Sequence, residues 1–136
     1  MKERRTLEYD WEHGQEELTI KVDSYLTGGG LYIGLYCEEE GEEEAFGDLT
    51  VNLPFEPAEV NEAYIADFGS KDKLKFIRKH KLGKVLPEFG YSGYCKYAKV
   101  AFDLERLAGL DPEGVERYRL LHGLTPKPET AMEETD

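Results

Sequence analysis

Cysteine, histidine and long apolar runs are all scarce in this sequence, and each scarcity narrows the possible folds and functions. The 136 residues include two cysteines, Cys37 and Cys95, too few and too far apart for a disulfide framework. The three histidines lie in separate segments without the short spacings of metal ligands, so we expect no metal site and no cofactor. No apolar run approaches the roughly 20 residues that cross a bilayer. Residues 1–5 lead into polar residues rather than a signal sequence, so we expect a cytoplasmic protein with no membrane contact.

Length and apolar content predict one folded domain. With 40% hydrophobic and 12% aromatic residues, the chain can bury a core without metal or disulfide staples. We expect a single domain over residues 1–124. Residues 125–136 hold prolines and acids but almost nothing apolar, which predicts a disordered tail. Cys37 and Cys95 lie among apolar residues and are predicted to be buried thiols.

Alternation of apolar and polar residues predicts antiparallel strands. The clearest alternation covers 17–26, with Leu26 at the end of its apolar face. The other expected strands cover 6–11, 31–37, 45–53, 63–66 and 94–102, the last with Tyr94 on its inner side. Loops are expected at 27–30, where glycines permit a hairpin connection, at the acidic run 38–44, and at 87–93.

Capping residues predict the helices. Ser70 is a suitable N-cap for a helix to about Lys81 that ends near Gly83. A short helix is expected at 103–107, and Asp111-Pro112 predicts another to about residue 122. The expected fold is therefore α+β: a mainly antiparallel sheet of five or six strands, packed by one or two helices.

Motifs that would carry catalysis are missing from the sequence. The glycines at 28–30 match neither phosphate-binding pattern and precede a strand rather than a helix. Ser92 matches only half of a nucleophile elbow, because Gly90-Tyr91 precedes it but the x-Gly that should follow is missing, and the neighbours of Cys95 indicate burial rather than activation. We therefore predict no catalytic residues. An enzyme would need a hidden polar pocket around Asn52, Ser92 and Tyr94.

Charge is unevenly distributed along the chain. The net charge is −12, but residues 37–67 carry eleven acidic side chains and no lysine or arginine. Residues 68–106 carry ten lysines and arginines against four acids. A split of this kind often marks an electrostatic partner, although it is also compatible with an ordinary acidic surface and one basic helix.

The first interaction hypothesis uses the acidic half. Carboxylates crowded on a rigid surface can imitate a phosphate backbone and bind a basic protein that handles nucleic acid. The predicted contact residues are Glu38, Glu39, Glu40, Glu42, Glu43, Glu44 and Asp48, with Glu56, Glu59 and Glu62 nearby.

The alternative hypothesis uses the basic half to bind nucleic acid directly. The predicted contacts are Lys71, Lys75, Arg78 and Lys79, with Lys81 and Lys84 at the helix exit and Tyr32 and Tyr36 as stacking platforms. The overall pI of about 4.7 opposes phosphate binding. Monomer and homodimer are both compatible with these patterns.

Two stretches of the sequence carry a family resemblance. Residues 49–54 (Leu-Thr-Val-Asn-Leu-Pro) and 91–97 (Tyr-Ser-Gly-Tyr-Cys-Lys-Tyr), followed by Phe102-Asp103, resemble an uncharacterised bacterial family, a domain of unknown function. The likeness covers roughly residues 16–107. It implies no assigned activity and no catalytic residues. It implies a setting in conjugative elements and phages of gut-type Gram-positive bacteria, where an acidic protein of this size would inhibit host restriction or CRISPR machinery.

Overall fold

The computed structural model describes residues 6–11, 14–53, 55–66 and 70–123, and it has an α+β fold. The first antiparallel sheet has the order β1 (Leu7–Trp11), β2 (Gly14–Ser24), β3 (Leu31–Glu39), β4 (Glu42–Asp48). The second has the order β5 (Thr50–Val51), β6 (Glu62–Ile65), β8 (Cys95–Phe102), β7 (Gly83–Ser92). The helices are α1 (Ser70–Lys79), α2 (Leu104–Leu110) and α3 (Pro112–Leu121). The α+β, antiparallel prediction is confirmed, with eight strands divided between two sheets; the expected tail lies outside the described residues.

The two sheets meet at Leu49 and Thr50. The Leu49 amide donates to the Ile33 carbonyl of β3 (2.9 Å), and its carbonyl accepts from the Ala66 amide (3.1 Å). The Thr50 Oγ1 accepts from the Ile33 amide (3.1 Å), continuing the β3 edge where β4 has ended. The single strand expected at 45–53 is therefore two strands, one paired with β3 and the other with β6. Alternation could not reveal this division because it reports burial and not the identity of the neighbouring strand.

Apolar side chains from both sheets and all three helices form one core. Its buried residues include Leu18, Ile20 and Val22 of β2, Leu31, Ile33 and Leu35 of β3, Val100 and Phe102 of β8, and Phe76, Ile77, Leu107, Val115 and Tyr118 of the helices. Leu26 is the exception to the predicted pattern. It is fully exposed because β2 ends at Ser24 and the chain has already entered the hairpin loop.

The acidic run is a β-hairpin and not the expected loop. Glu38 and Glu39 belong to β3, residues 42–44 belong to β4, and Glu40-Gly41 form a two-residue turn. Both turn residues have positive φ, 51° and 80°, which matches the twist of the flanking strands. The loop prediction was wrong because exposed charges about 4 Å apart in water repel by only about 1 kcal/mol. Backbone pairing between the strands outweighs that repulsion.

The segment expected as a loop at 87–93 is mostly strand β7. β7 lies at the edge of its sheet, where proline is tolerated because no neighbouring strand needs its missing N–H. The register shifts between Val85 and Phe89, so the segment around Pro87 bulges out of the ladder. Proline was therefore a misleading signal of strand termination.

Tyr94 and Cys95 are both exposed, contrary to the predictions that Tyr94 lies on the inner side and that Cys95 is a buried thiol. Ser92 pairs with Cys95 across a two-residue turn, so Tyr94 occupies the tip of the β7–β8 hairpin. Gly93 takes the positive φ of 63° that this turn requires. The tip of the hairpin extends beyond the core, and alternation over residues 91–96 therefore carries no burial.

Helix α3 covers the part of β2 that β1 leaves unpaired. β1 pairs with β2 only as far as Leu18, and the amide of Val22 donates instead to Asp111 Oδ2 (2.8 Å). Asp111 Oδ1 also accepts from the Gly114 amide (3.3 Å), so one carboxylate caps α3 and completes the strand edge. Gly114 lies so close that an added Cβ would be 2.4 Å from the Val22 carbonyl oxygen.

We expect Gly114→Ala to lower the free energy of unfolding by about 1–3 kcal/mol, because the new methyl group would overlap Val22 and Asp111. Gly109→Ala in α2 is the matched control. Its Cβ would meet nothing within 4 Å, so helix propensity should raise stability by about 1 kcal/mol. Urea denaturation of both variants measures the difference, and equal midpoints would contradict the packing described for α3.

Candidate functional site

The β3–β4 hairpin brings together six of the seven predicted acidic contact residues. The six are all exposed: Glu38, Glu39, Glu40, Glu42, Glu43 and Glu44. The strand register places Glu38 opposite Glu43 and Glu39 opposite Glu42. Because successive side chains alternate between faces, the first pair lies on the outer face of the sheet and the second on the opposite face. The hairpin therefore presents negative charge on both faces of the sheet.

Cys37 lies at the base of the hairpin, and the pKa of its thiol reflects the negative charge nearby. Burial raises the pKa of its thiol, and the carboxylates of Glu39, Glu16 and Glu44 raise it further. Glu16 was missed by the charge analysis because it precedes the acidic segment in sequence. It belongs to β2, and the alternation of that strand places it on the same face as Leu18, a signal available in the sequence. The acidic surface thus extends onto β2.

Lys21 lies on the outer face beside the hairpin. Its ammonium forms an ion pair with Glu43 and lies 4.7 Å from the ring centroid of Tyr36. Both charged side chains are substantially exposed, so the pair contributes about 0–1 kcal/mol. An ion pair this weak offsets little of the negative charge of the hairpin.

Asp48 lies away from the other predicted acidic contacts. It pairs with Gly34, five positions along β3 from Glu39, which is about 17 Å in an extended strand. Its Oδ1 accepts a hydrogen bond from the Tyr32 hydroxyl (2.8 Å). Burial and the neighbouring Asp48 carboxylate raise the pKa of Tyr32 well above its ordinary value. Asp48 therefore helps to fix Tyr32 on the middle of the sheet.

Tyr32 and Tyr36 lie over Gly34, where an added Cβ would be 2.4 Å from the Tyr32 hydroxyl and 3.0 Å from the Tyr36 ring. The Tyr32 ring also meets Tyr25 edge-on, with centroids 5.4 Å apart. Both rings are half-buried on the first sheet. The predicted lysines lie on α1, which contacts β1, β6 and β7, so the structure does not bring the two groups together as one surface.

Lys79, one of the predicted nucleic-acid contacts, ties α1 to β1. Its ammonium bonds Glu8 (2.7 Å) and Asp10 (3.0 Å), and these hydrogen bonds raise its pKa. The same interaction lowers the pKa of the Asp10 carboxyl. The neighbouring His80 Nε2 bonds the Glu8 carbonyl oxygen (2.8 Å). Lys79 is therefore paired with β1 although it is exposed, as Lys71, Lys75 and Arg78 also are.

A shallow basic depression lies where α1 leads into β7. Its volume is about 580 Å³, and its lining includes Arg78, Lys81 and Lys84. Asp103 also lines it, but this carboxylate caps α2 by accepting from the amides of Glu105 and Arg106. Three cations thus converge on one concave surface at the exit of α1.

The candidate nucleophiles stand apart from any acid–base partner described in the structure. Ser92 and Cys95 are exposed on either side of the β7–β8 turn. His80 and His122 each direct Nε2 to a backbone carbonyl oxygen, those of Glu8 and Gly29. Within the described residues, no group of three or more His, Cys, Asp or Glu side chains is arranged to hold a metal ion.

A second concave site lies at the end of β3 remote from the acidic hairpin. It has a volume of about 180 Å³ and is bounded by the β2–β3 loop, the chain after β5, and β6. Asn52 lines it, as the pocket hypothesis required, together with Glu56 and Glu62. Ser92 and Tyr94 do not line it, so the three residues of that hypothesis do not form one pocket.

One protein-family model, described as "Domain of unknown function (DUF4313)", matches residues 19–121. The match includes α3, which the resemblance seen in the sequence left out. No curated protein and no solved structure matches the chain. Of the helices that the structure describes, none combines the length and apolar character needed to cross a membrane.

We expect iodoacetamide to label Cys95 before Cys37, because Cys95 is exposed whereas Cys37 is half-buried and its raised pKa disfavours the thiolate. Labelling of Cys37 should accelerate in Glu44→Gln, which removes one of the carboxylates that raise this pKa. Glu88→Gln, which changes an exposed acid on β7, is the control. Mass spectrometry of timed samples resolves the two sites. Equal Cys37 rates in both variants would show that the hairpin charges do not act on this thiol.

Proposed function

Because the chain belongs to the family described as a domain of unknown function (DUF4313), whose description states no activity, we propose a function from its surface chemistry. We infer that the protein is a non-enzymatic interaction protein whose acidic β3–β4 hairpin docks on a basic protein that handles nucleic acid. The observation that carries this proposal is the array of six exposed carboxylates on two paired strands.

The hairpin holds its carboxylates at regular intervals. Side chains on one face recur about every 7 Å along a strand and lie about 5 Å apart across the pair. The two-residue turn at Glu40-Gly41 fixes the register and so keeps these spacings constant. A partner that binds a phosphate backbone carries lysines and arginines in an extended array, and the hairpin offers such an array a preformed set of negative charges.

The energetics of the hairpin favour a cationic partner. Like charges directly opposite each other on paired strands are destabilising, and Glu39–Glu42 is such a pair; Glu38 also lies opposite Glu43, whose charge Lys21 partly offsets. Lysines or arginines of a partner, placed between the carboxylates, would relieve this repulsion. The relief would add to the favourable free energy of binding. A single-sign patch also accelerates encounter with an oppositely charged partner.

The setting implied by the family resemblance narrows the class of partner protein that we propose. In a conjugative element or phage, a cytoplasmic protein of this kind would act on a host restriction or CRISPR protein, which binds nucleic acid through a basic cleft. Its acidic hairpin would occupy that cleft. The proposal requires neither a cofactor nor a catalytic group.

We expect the combined Glu42→Gln, Glu43→Gln and Glu44→Gln variant to associate about tenfold more slowly with its partner at low salt, with a weaker salt dependence. The control changes Glu88, Glu113 and Glu116 to Gln, an equal change of net charge at exposed positions outside the hairpin. The partner is captured from a bacterial lysate at low salt, and association rates are measured by surface plasmon resonance at several salt concentrations. Equal rates and salt slopes for the two variants would contradict docking through the hairpin, as would capture of no basic protein.

Direct nucleic-acid binding remains the second candidate, favoured by the depression lined by Arg78, Lys81 and Lys84. In that case Lys81→Gln with Lys84→Gln should abolish a low-salt gel shift of single-stranded DNA, since each lost phosphate contact weakens binding. Lys71→Gln with Lys75→Gln removes the same charge outside the depression and should retain the shift. No shift with the unmodified protein at low salt would eliminate this candidate.

A further inference from the structure

Three polar side chains that line the cleft at the loop end of β3 are held in place by hydrogen bonds to the backbone. Two of its carboxylates are each held by one oxygen: Glu62 Oε1 accepts from the Glu59 amide (2.9 Å), and Glu56 Oε2 accepts from the Tyr91 amide (3.0 Å). Asn52 donates through Nδ2 to the Thr27 carbonyl oxygen (3.0 Å). Backbone contacts therefore orient all three side chains, as in a preorganised binding site.

These three side chains retain acceptor capacity for a ligand. No hydrogen bond within the described residues uses Glu56 Oε1, Glu62 Oε2 or Asn52 Oδ1. The nearby cation is Lys99, which bonds Glu62 Oε1 (3.2 Å) and lies 5.7 Å from the Tyr64 ring centroid. The lining itself contains two carboxylates and neither lysine nor arginine. The chemistry of the cleft therefore favours a cationic donor of several hydrogen bonds.

The size of the cleft limits the ligand. Its volume of about 180 Å³ is below the roughly 300–1,000 Å³ of sites for drug-sized molecules. It is sufficient for one side chain that enters from the surface. A guanidinium group, which presents five donors in a rigid plane, matches a set of fixed acceptors better than the compact ammonium of lysine.

Exposed apolar residues adjoin the lining of the cleft along the chain or by a hydrogen bond. Leu26 adjoins Tyr25 of the lining, Phe55 adjoins Glu56, and Tyr91 bonds Glu56 through its amide. Leu26 and Phe55 are fully exposed, and Tyr91 is 56% exposed. Apolar residues that border a polar pocket are typical of a protein-binding surface, where they would cover the residues that flank an inserted side chain.

We propose that this cleft binds the side chain of an arginine from a partner polypeptide, with Leu26, Phe55 and Tyr91 packing on apolar residues beside that arginine. The cleft and the acidic hairpin lie at opposite ends of the nine-residue strand β3, about 27 Å apart. Binding at the cleft is therefore independent of docking through the hairpin, and either proposal can fail without the other.

The test titrates the full chain with a blocked Leu-Arg-Leu tripeptide and follows backbone amides by heteronuclear NMR at physiological salt. We expect shifts centred on Asn52, Glu56 and Glu62. A blocked Leu-citrulline-Leu peptide keeps the shape of the side chain without its charge and should bind about tenfold more weakly, since a charge-assisted hydrogen bond is replaced by a neutral one.

Two variants locate the binding. Glu56→Gln retains an oxygen for the Tyr91 amide but removes the charge, and should reduce affinity for the arginine peptide about tenfold. Glu88→Gln and the triple Gln variant of residues 42–44 should bind as the unmodified protein does. The proposal is overturned by equal affinity for the citrulline peptide, by tighter binding of a Leu-Lys-Leu peptide, by shifts centred on the hairpin, or by no shifts at all.

Discussion

The hydrogen bonds of Leu49 and Thr50 are the constraint on which both sheets depend. Leu49 is completely buried, and its backbone bonds join β3 of the first sheet to the residue that follows β6 of the second. Thr50 Oγ1 accepts from the Ile33 amide and also shares a hydrogen bond with the Tyr25 hydroxyl (2.9 Å). One residue pair thus closes the edge of β3, orients the second sheet and anchors the β2–β3 loop. A buried Ile33 amide left without this partner would cost about 1–3 kcal/mol.

The same junction positions the arginine-sized cleft. The chain that leaves Thr50 continues through Val51 and Asn52, which line the cleft opposite the β2–β3 loop. Asn52 then returns a hydrogen bond to Thr27 of that loop. Residues 49–53, which belong to one of the two stretches that carry the family resemblance, therefore have a structural role at the junction and a place in the cleft wall.

Charge is segregated by the fold as well as by the sequence. The acidic hairpin extends from one end of β3, while the depression with Arg78, Lys81 and Lys84 lies between α1 and β7. Lys79 is held by Glu8 and Asp10 of β1, so it binds α1 to the first sheet instead of adding to the basic surface. Because the acidic and basic surfaces are separate, each is compatible with its own partner. The separation also argues against one continuous nucleic-acid-binding surface that would include both the lysines and Tyr32 and Tyr36.

Sequence reasoning succeeded where local chemistry decides the outcome. Alternation identified the buried face of β2, and Asp111-Pro112 marked the start of α3, because burial and capping depend on neighbours along the chain. It failed at β7, where an edge position tolerates Pro87, and at Tyr94, where the hairpin passes beyond the core. For the candidate sites, the carboxylates of the hairpin were found from composition. Their pairing was not, since it depends on the register at Glu39 and Glu42.

The sequence by itself determined the fold class, the α3 cap and the segregation of acidic from basic residues, because each is encoded by side chains close together in the chain. Only the tertiary structure decided that Asp48 stands apart from the hairpin, that Lys79 is engaged, and that Asn52, Glu56 and Glu62 surround one cleft. Those relations depend on which strands pair and where the chain crosses between sheets. Contacts between residues distant in sequence follow from the packing of the whole core, which no local pattern specifies.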